Sequence, residues 1–163
     1  MFKMNHEEAF EGYSEIKDGE YEVIITQAME NSTPGGAEFL DIRLQIRNDI
    51  EQPSQNAYIF YKIWKSKEKN VYSSVMINTL GKNCRMQNGK EYKKMQDLLD
   101  DFVYKTLRVK VKNEETEYNG ATYTNLNVKK LEETKFAKCN HKLKSENHAE
   151  SIAQEIEDDD LPF

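Results

Sequence analysis

The stretch from Asn56 to Tyr72 concentrates side chains that can bind a nucleic acid. It holds five aromatic residues and four lysines but only one acid, Glu68. Nucleobases stack on flat aromatic rings, which is worth about 1–3 kcal/mol per base, and phosphates are attracted to lysines. The combination of residue types therefore indicates a surface for a single-stranded nucleic acid.

Period-two alternation places these side chains on a strand over Ala57–Lys65. Ile59, Tyr61 and Ile63 are expected to face the core. Tyr58, Phe60, Lys62 and Trp64 would then point outward. A shift of one residue would exchange the two faces and bury Trp64, so a core position for Trp64 stays open as an alternative.

Other predicted strands carry similar side chains on their outward faces. The clearest is Glu38–Arg47, in which Leu40, Ile42, Leu44 and Ile46 share one face. Any one of the outward residues also fits an ordinary exposed strand, where Lys, Arg and Tyr are common. As a set, the candidate nucleic-acid contacts are Phe39, Arg43, Arg47, Tyr58, Phe60, Lys62, Trp64, Lys65, Lys67, Arg108, Lys110, Lys112, Tyr123 and Lys129.

The order of elements predicts a mainly β fold with a helical insertion. Three strands come first, beginning at Gly19; helical spacing follows over residues 71–84 and again around Tyr92–Asp101. Two further strands surround Asn119-Gly120, a strong hairpin signal. A helix between the third and fourth of five strands is the arrangement of an oligonucleotide/oligosaccharide-binding (OB-fold) barrel. We expect residues 19–132 to form this domain, after an N-terminal extension over residues 1–18.

Residues 133–163 are predicted to be a disordered acidic C-terminal tail. The chain carries a net charge of −6, yet residues 146–163 hold seven acids and no Lys or Arg, which leaves 23 basic against 22 acidic residues elsewhere. The tail ends in Asp158, Asp159, Asp160, Leu161, Pro162 and Phe163. Such a tip could place Phe163 in an apolar pocket of a partner while its carboxylates meet a basic rim. The simpler alternative is a tail that only keeps the protein soluble.

Several functional classes have no support in the sequence. No apolar run is long enough for a membrane span, and the N-terminus has no signal-peptide core, so a cytoplasmic location is expected. Cys84 and Cys139 are interpreted as ordinary thiols. No catalytic site or cofactor is expected, because the sequence contains no motif for nucleotide hydrolysis, acyl transfer or zinc proteolysis. No metal site is expected, since Cys139, His141 and His148 offer at most three irregularly spaced ligands.

The tip resembles the C-terminus of bacterial-type single-stranded DNA-binding proteins. The whole chain resembles the small single-stranded DNA-binding proteins encoded by bacteriophages of Gram-positive bacteria. The matching pieces are Gly19-Glu20-Tyr21, Thr33–Gly36 before Glu38-Phe39-Leu40, the Trp64 region, Tyr118-Asn119-Gly120 and Asp158–Phe163. The resemblance implies sequence-tolerant binding of single-stranded DNA in an infected bacterial cytoplasm. It also implies replication or recombination proteins as partners of the tip; a homo-oligomer is compatible with it.

Two alternatives from other classes stay open. The first is an adaptor that docks on replication proteins without touching DNA. The second is a metal-dependent nuclease, for which Asp97, Asp100 and Asp101 form the best carboxylate cluster. These three aspartates are more simply interpreted as the solvated face of an amphipathic helix.

Overall fold

The computed structural model describes residues 2–6 and 16–143. They form five antiparallel strands with two helices inserted between the third and the fourth, which confirms the predicted mainly β class and its helical insertion. The strands are β1 (Gly19–Ser32), β2 (Glu38–Ile46), β3 (Tyr58–Trp64), β4 (Thr106–Tyr118) and β5 (Ala121–Glu132), and the helices are α1 (Ser74–Asn83) and α2 (Met95–Phe102).

The strands form one curved sheet in the order β3-β2-β1-β4-β5. The central strand β1 pairs with β4 over Gly19–Ile24 and with β2 over Val23–Ser32, and a bulge interrupts the second ladder between Ile25 and Gln27. A bulge bends its strand and increases the local twist. The curvature brings the two edge strands, β3 and β5, to opposite sides of one groove. In the described chain no ladder joins these two edges.

Alternate residues of the strands fill the core, as the period-two pattern predicts. The inward side chains of β2 and β3 are fully buried, except for the half-buried Tyr61. Burial of each such aliphatic side chain contributes about 1.5–3 kcal/mol. Leu80 of α1 and Leu99 and Phe102 of α2 belong to the same core. Cys84 is also buried, which raises the pKa of its thiol to about 12.

Helix α1 begins at a side-chain cap, whereas α2 begins after Lys94 without one. Ser73 is the N-cap of α1, and its hydroxyl accepts a hydrogen bond from the Met76 backbone N–H at 3.2 Å. Val71 and Val75 follow the helical spacing over residues 71–84, but both are exposed. Helix α1 turns a narrower apolar face to the sheet than the sequence spacing indicates.

The hairpin between β4 and β5 turns through Asn119 and Gly120. Both residues have a positive φ, 53° and 78°, as a two-residue type I′ turn requires. The ladder between β1 and β4 stops at Gly19 and Val111, whereas β4 and β5 stay paired as far as Tyr118 and Ala121. The outer half of this hairpin therefore projects beyond the central strand.

The folded body extends past both predicted boundaries. Ile16 is buried in the core, and its carbonyl accepts a hydrogen bond from Asn113 Nδ2 at 2.9 Å. Residues 133–143, here called the strap, pack along the end of β2 and the loop that follows it. They therefore belong to the body rather than to the predicted disordered tail. Polar hydrogen bonds hold the strap, so hydrophobic periodicity gives no sign of it. The tip, Asp158–Phe163, lies outside the described residues.

Candidate nucleic-acid interface

The outward faces of β2 and β3 bring aromatic and basic side chains together. Opposite residues in an antiparallel pair point to the same side of the sheet. Phe39 lies opposite Trp64, Asp41 opposite Lys62, and Arg43 opposite Phe60. Trp64 is 46% exposed and Phe60 53% exposed. The predicted faces of β3 are therefore confirmed, and the alternative in which Trp64 is a core residue is not observed.

Two cations lie over the aromatic rings of this face. The Arg43 guanidinium carbon is 5.6 Å from the ring centroid of Tyr58 and 5.5 Å from that of Phe60. The Lys62 ammonium is 4.9 Å from the Phe39 centroid and 5.9 Å from that of Trp64. Cation–π contacts of this kind orient a cation while leaving its charge unneutralised. These six residues, here called the aromatic ladder, are Phe39, Arg43, Tyr58, Phe60, Lys62 and Trp64.

Neither ladder cation forms an ion pair in the described chain, although Asp41 lies opposite Lys62 in the strand register. Within residues 16–143, neither Arg43 nor Lys62 forms an ion pair with a carboxylate. By contrast, Lys65 pairs with Glu38 at 2.8 Å, although it comes directly after β3. The positive charge of Arg43 and Lys62 therefore remains available for an anionic ligand.

Phe39 is the buried member of the aromatic ladder and packs against Trp64 and Lys62. It is only 6% exposed, and its ring centroid lies 4.8 Å from that of Trp64 with 44° between the planes. The expectation that Phe39 offers an open stacking surface is therefore wrong. Its ring is covered by Trp64 and Lys62, which it holds in place.

A groove of about 620 Å³ runs between β3 and β5. One wall consists of the β3 part of the ladder. The other wall is polar, with Thr124, Asn125, Asn127 and Lys129 of β5 and Glu114 of β4. Asn127 Nδ2 and Lys129 Nζ donate to one Glu114 oxygen at 2.9 and 3.0 Å. These bonds, Asn127 first, lower the pKa of the Glu114 carboxyl, so it stays ionised at neutral pH.

The sequence did not predict that Thr124, Asn125 and Asn127 line the groove. Asn125 and Asn127 follow the strand alternation, but nothing in their types distinguishes them from exposed polar residues. Their place in the groove depends on the curvature of the sheet, for which the strand patterns give no measure.

Arg47 does not belong to the interface, contrary to the prediction. It is fully buried, and its guanidinium forms a two-point contact with Asp49 at 2.7 and 3.0 Å. Further bonds run to the Thr134 hydroxyl and to the carbonyls of Phe136 and Lys138 at 2.9–3.2 Å. The strand ends at Ile46, so alternation no longer sets the direction of Arg47, and the strap covers it.

Arg108 is occupied by acidic partners as well. Its guanidinium pairs with Glu20 at 2.8 Å and with Glu22 at 2.9 Å, which lie on the neighbouring strand β1. Glu22 is itself buried and accepts a hydrogen bond from the Thr134 hydroxyl. The charge of Arg108 is thus balanced inside the body, and the prediction that it is free on an outward face is wrong.

The remaining candidates are exposed or partly exposed but lie apart from the ladder. Lys110 and Lys112 lie on β4, which β1 separates from β2. Lys67 follows β3 in a turn, and Tyr123 lies on the projecting hairpin, opposite Thr116. The structure therefore gathers Tyr58, Phe60, Lys62, Trp64 and Lys129 at one groove, with Arg43 beside it over the rings of Tyr58 and Phe60, and leaves these others outside it.

Residues 2–138 match the family described as Protein of unknown function (DUF669). The chain belongs to this family. The matched range contains all five strands, the ladder, the groove and the strap as far as Lys138. It does not contain Asp158–Phe163.

Two further comparisons describe what the DUF669 chain is similar to. No curated protein matches it in sequence. The solved structure "Yeast RPA bound to ssDNA" is similar with a TM-score of 0.36 and 13% identity, over 93% of this chain and 92% of that chain. A similarity this remote gives no information about the function of the DUF669 chain.

The described part of the DUF669 body has neither a metal-binding cluster nor a membrane-spanning helix. Among residues 2–6 and 16–143, no three His, Cys, Asp or Glu side chains converge in a way that could hold a metal ion. Asp101 of the candidate cluster instead accepts hydrogen bonds from Tyr92 and Lys90. No helix in this part of the chain combines the length and apolar character that a membrane crossing requires.

Proposed function

We propose that this DUF669 protein binds single-stranded DNA without sequence preference along the aromatic ladder and the groove beside it. One observation carries the proposal. The exposed rings of Tyr58, Phe60 and Trp64 alternate with two cations, Arg43 and Lys62, that have no carboxylate partner in the described chain. Rings that stack on bases and free cations that meet phosphates are the two requirements of a single-strand site.

The topology supports the same proposal. We interpret the strand order β3-β2-β1-β4-β5, with helices between β3 and β4, as an OB-fold barrel that is open between β3 and β5. In that fold the faces of the second and third strands and the loop between the fourth and fifth bind oligonucleotides. The ladder occupies the first of these positions, and the projecting hairpin occupies the second.

The lone tryptophan provides the test. Full-length protein is titrated with oligo-dT at low and moderate salt, while Trp64 fluorescence and filter binding are followed together. We expect Phe60→Ala and Trp64→Ala each to cost about 1–3 kcal/mol, a roughly 5- to 150-fold loss of affinity, because each removes a stacking platform. Binding should also weaken as salt rises.

Phe136→Ala is the matched control. Phe136 is 48% exposed, close to Phe60 and Trp64 in this respect, but it lies on the strap and does not line the groove. Its removal should leave the affinity unchanged. Equal losses for Phe60→Ala and Phe136→Ala would contradict the ladder as the site. No binding at low salt would favour the adaptor instead.

We also propose that Asp158–Phe163 recruits replication or recombination proteins. The support is in the sequence alone: three acids followed by Leu161, Pro162 and Phe163, a pattern that solubility does not require. The tip lies outside the described residues, so the types and order of its residues carry this proposal.

A further inference from the structure

We propose that a pocket between α1 and α2 binds the chain's own Asp158–Phe163 segment. The pocket has a volume of about 500 Å³ and lies between the two helices and the loop that joins them. Its apolar lining comes from Ile77, Met86, Leu98 and Phe102. This site is separate from the groove between β3 and β5, and the proposed DNA binding does not use it.

The polar part of the pocket combines three amide residues and Tyr92 with two lysines. Lys82 of the last helical turn of α1 and Lys90 of the loop line it, and no carboxylate does. Lys82 forms no ion pair in the described part of the chain, whereas Lys90 contacts Asp101 at 3.3 Å. The loop continues with Lys93 and Lys94. A ligand for this pocket therefore needs apolar side chains next to negative charge.

The tip has this chemistry in the required order. Three aspartates precede Leu161 and Phe163, so carboxylates can meet the lysines while the apolar side chains enter the pocket. A residue that precedes proline, as Leu161 does, is disfavoured in the helical region. The described body offers a second groove with free cations, the one beside the aromatic ladder, and the experiment below distinguishes the two sites.

The chain is long enough to reach the pocket from its own body. The strap begins beside the pocket, because Arg85, the neighbour of Met86, donates to the Thr134 carbonyl at 3.3 Å and pairs with Glu133 at 3.2 Å. From Thr134 to Leu143 the strap can extend at most about 32 Å, whereas the next fifteen residues, 144–158, can span about 50 Å. A tether of this length gives a local concentration on the order of millimolar. Weak docking is then sufficient for occupancy.

The test is hydrogen exchange measured by mass spectrometry on the full-length protein. Wild type is compared with Leu161→Ala/Phe163→Ala, which alters no residue of the described body. We expect the amides of residues 77–102 to exchange about two- to ten-fold faster in the variant, because docking no longer protects them. Exchange in β1 and β2 should stay the same.

A pocket-side variant provides the reciprocal test. Lys82→Glu should reproduce the faster exchange of residues 77–102. Lys110→Glu, at an exposed lysine of β4 without an ion pair in the described chain, should leave that exchange unchanged. Faster exchange in β1 as well would show that Lys82→Glu destabilises the whole body. The comparison of wild type with Leu161→Ala/Phe163→Ala would then be the test of tip docking.

Three results would overturn the proposal. The first is equal exchange in wild type and tip variant. The second is tip-dependent protection of residues 58–64, which would place the segment on the aromatic ladder. The third is protection that disappears on hundred-fold dilution of the protein, which would identify the tip of a second copy as the occupant.

Discussion

The arginine side chains of this molecule differ in what balances their charge. Arg43 lies over two aromatic rings without an acid, Arg108 bridges Glu20 and Glu22, and Arg47 is enclosed by Asp49 and the strap. Burial is the largest single influence and opposes the charged form of Arg47, but the hydrogen bonds with Asp49 and the nearby negative charges together outweigh it and raise the pKa of the guanidinium. A residue type alone does not reveal which of these environments it occupies.

His141 holds the strap in place through hydrogen bonds that require a neutral imidazole ring. Its Nδ1 accepts a hydrogen bond from the Asn48 backbone N–H at 3.0 Å, and its Nε2 lies 2.9 Å from the Gln45 amide oxygen. Burial lowers the pKa of His141 below its usual 6.5; Asp49 opposes this shift and Arg47 adds to it. The stabilisation is therefore complete above about pH 6.5 and is lost as the pH falls through the lowered pKa of the folded state.

We therefore expect the free energy of unfolding, measured with urea, to be lower at pH 5 than at pH 7.5. His141→Gln should remove part of this difference, whereas His6→Gln, at an exposed histidine near the N-terminus, should leave it intact. A difference of the same size in His141→Gln and wild type would show that other groups cause it.

The elements were predictable to different degrees. The inward and outward faces of β2 and β3 follow from strict alternation, and the Asn119-Gly120 turn follows from its φ requirements. β1 is longer than the sequence indicates: alternation ends near Ile25 because the bulge interrupts it, yet the strand continues to Ser32. The strap has no periodicity at all. The residues that bend a strand or that hydrogen-bond to a buried guanidinium lie far away in the sequence. A local pattern therefore cannot predict them.

Helix α1 contains a glycine that the fold does not need. Gly81 lies inside the helix, and a Cβ added there would meet its nearest neighbour, Met86 Sδ, at 3.8 Å, an ordinary contact. We expect Gly81→Ala to raise the free energy of unfolding by about 0.5–1 kcal/mol, because alanine restricts the unfolded chain and favours the helix.

Gly89 is the contrasting position. Its φ is +82°, which side chains other than glycine rarely adopt. Gly89→Ala should therefore lower the free energy of unfolding by about 1–2 kcal/mol. Urea denaturation of both variants checks the pair, and the same sign for both would refute the assignment of their backbone roles.

Opposite charges are separated along the chain. The net charge of −6 conceals a nearly neutral body, whose unpaired cations include those of the ladder, and a strongly acidic segment that begins after the strap. This separation was visible in the sequence. The groove beside the ladder was not, since it depends on how the sheet bends.

The proposal assigns DNA binding and partner recruitment to separate parts of the chain. Leu161→Ala/Phe163→Ala should therefore change the affinity for oligo-dT by less than about two-fold, because it removes no stacking platform. The same variant should lose the proteins that wild type retains from a bacterial lysate. Phe60→Ala should show the reverse, weak DNA binding with retained partners. Partner retention by the double variant would contradict recruitment through the tip.

The open edges of the sheet have a consequence for solubility. An unpaired strand edge invites another chain to add to it, and this is a common route to aggregation. Here both edges, β3 and β5, line the same narrow groove instead of pointing to opposite sides of the molecule. Copies cannot easily extend into a continuous ribbon from edges that face each other. A ligand that fills the groove would shield both edges at once, so DNA should slow the aggregation of this protein on heating.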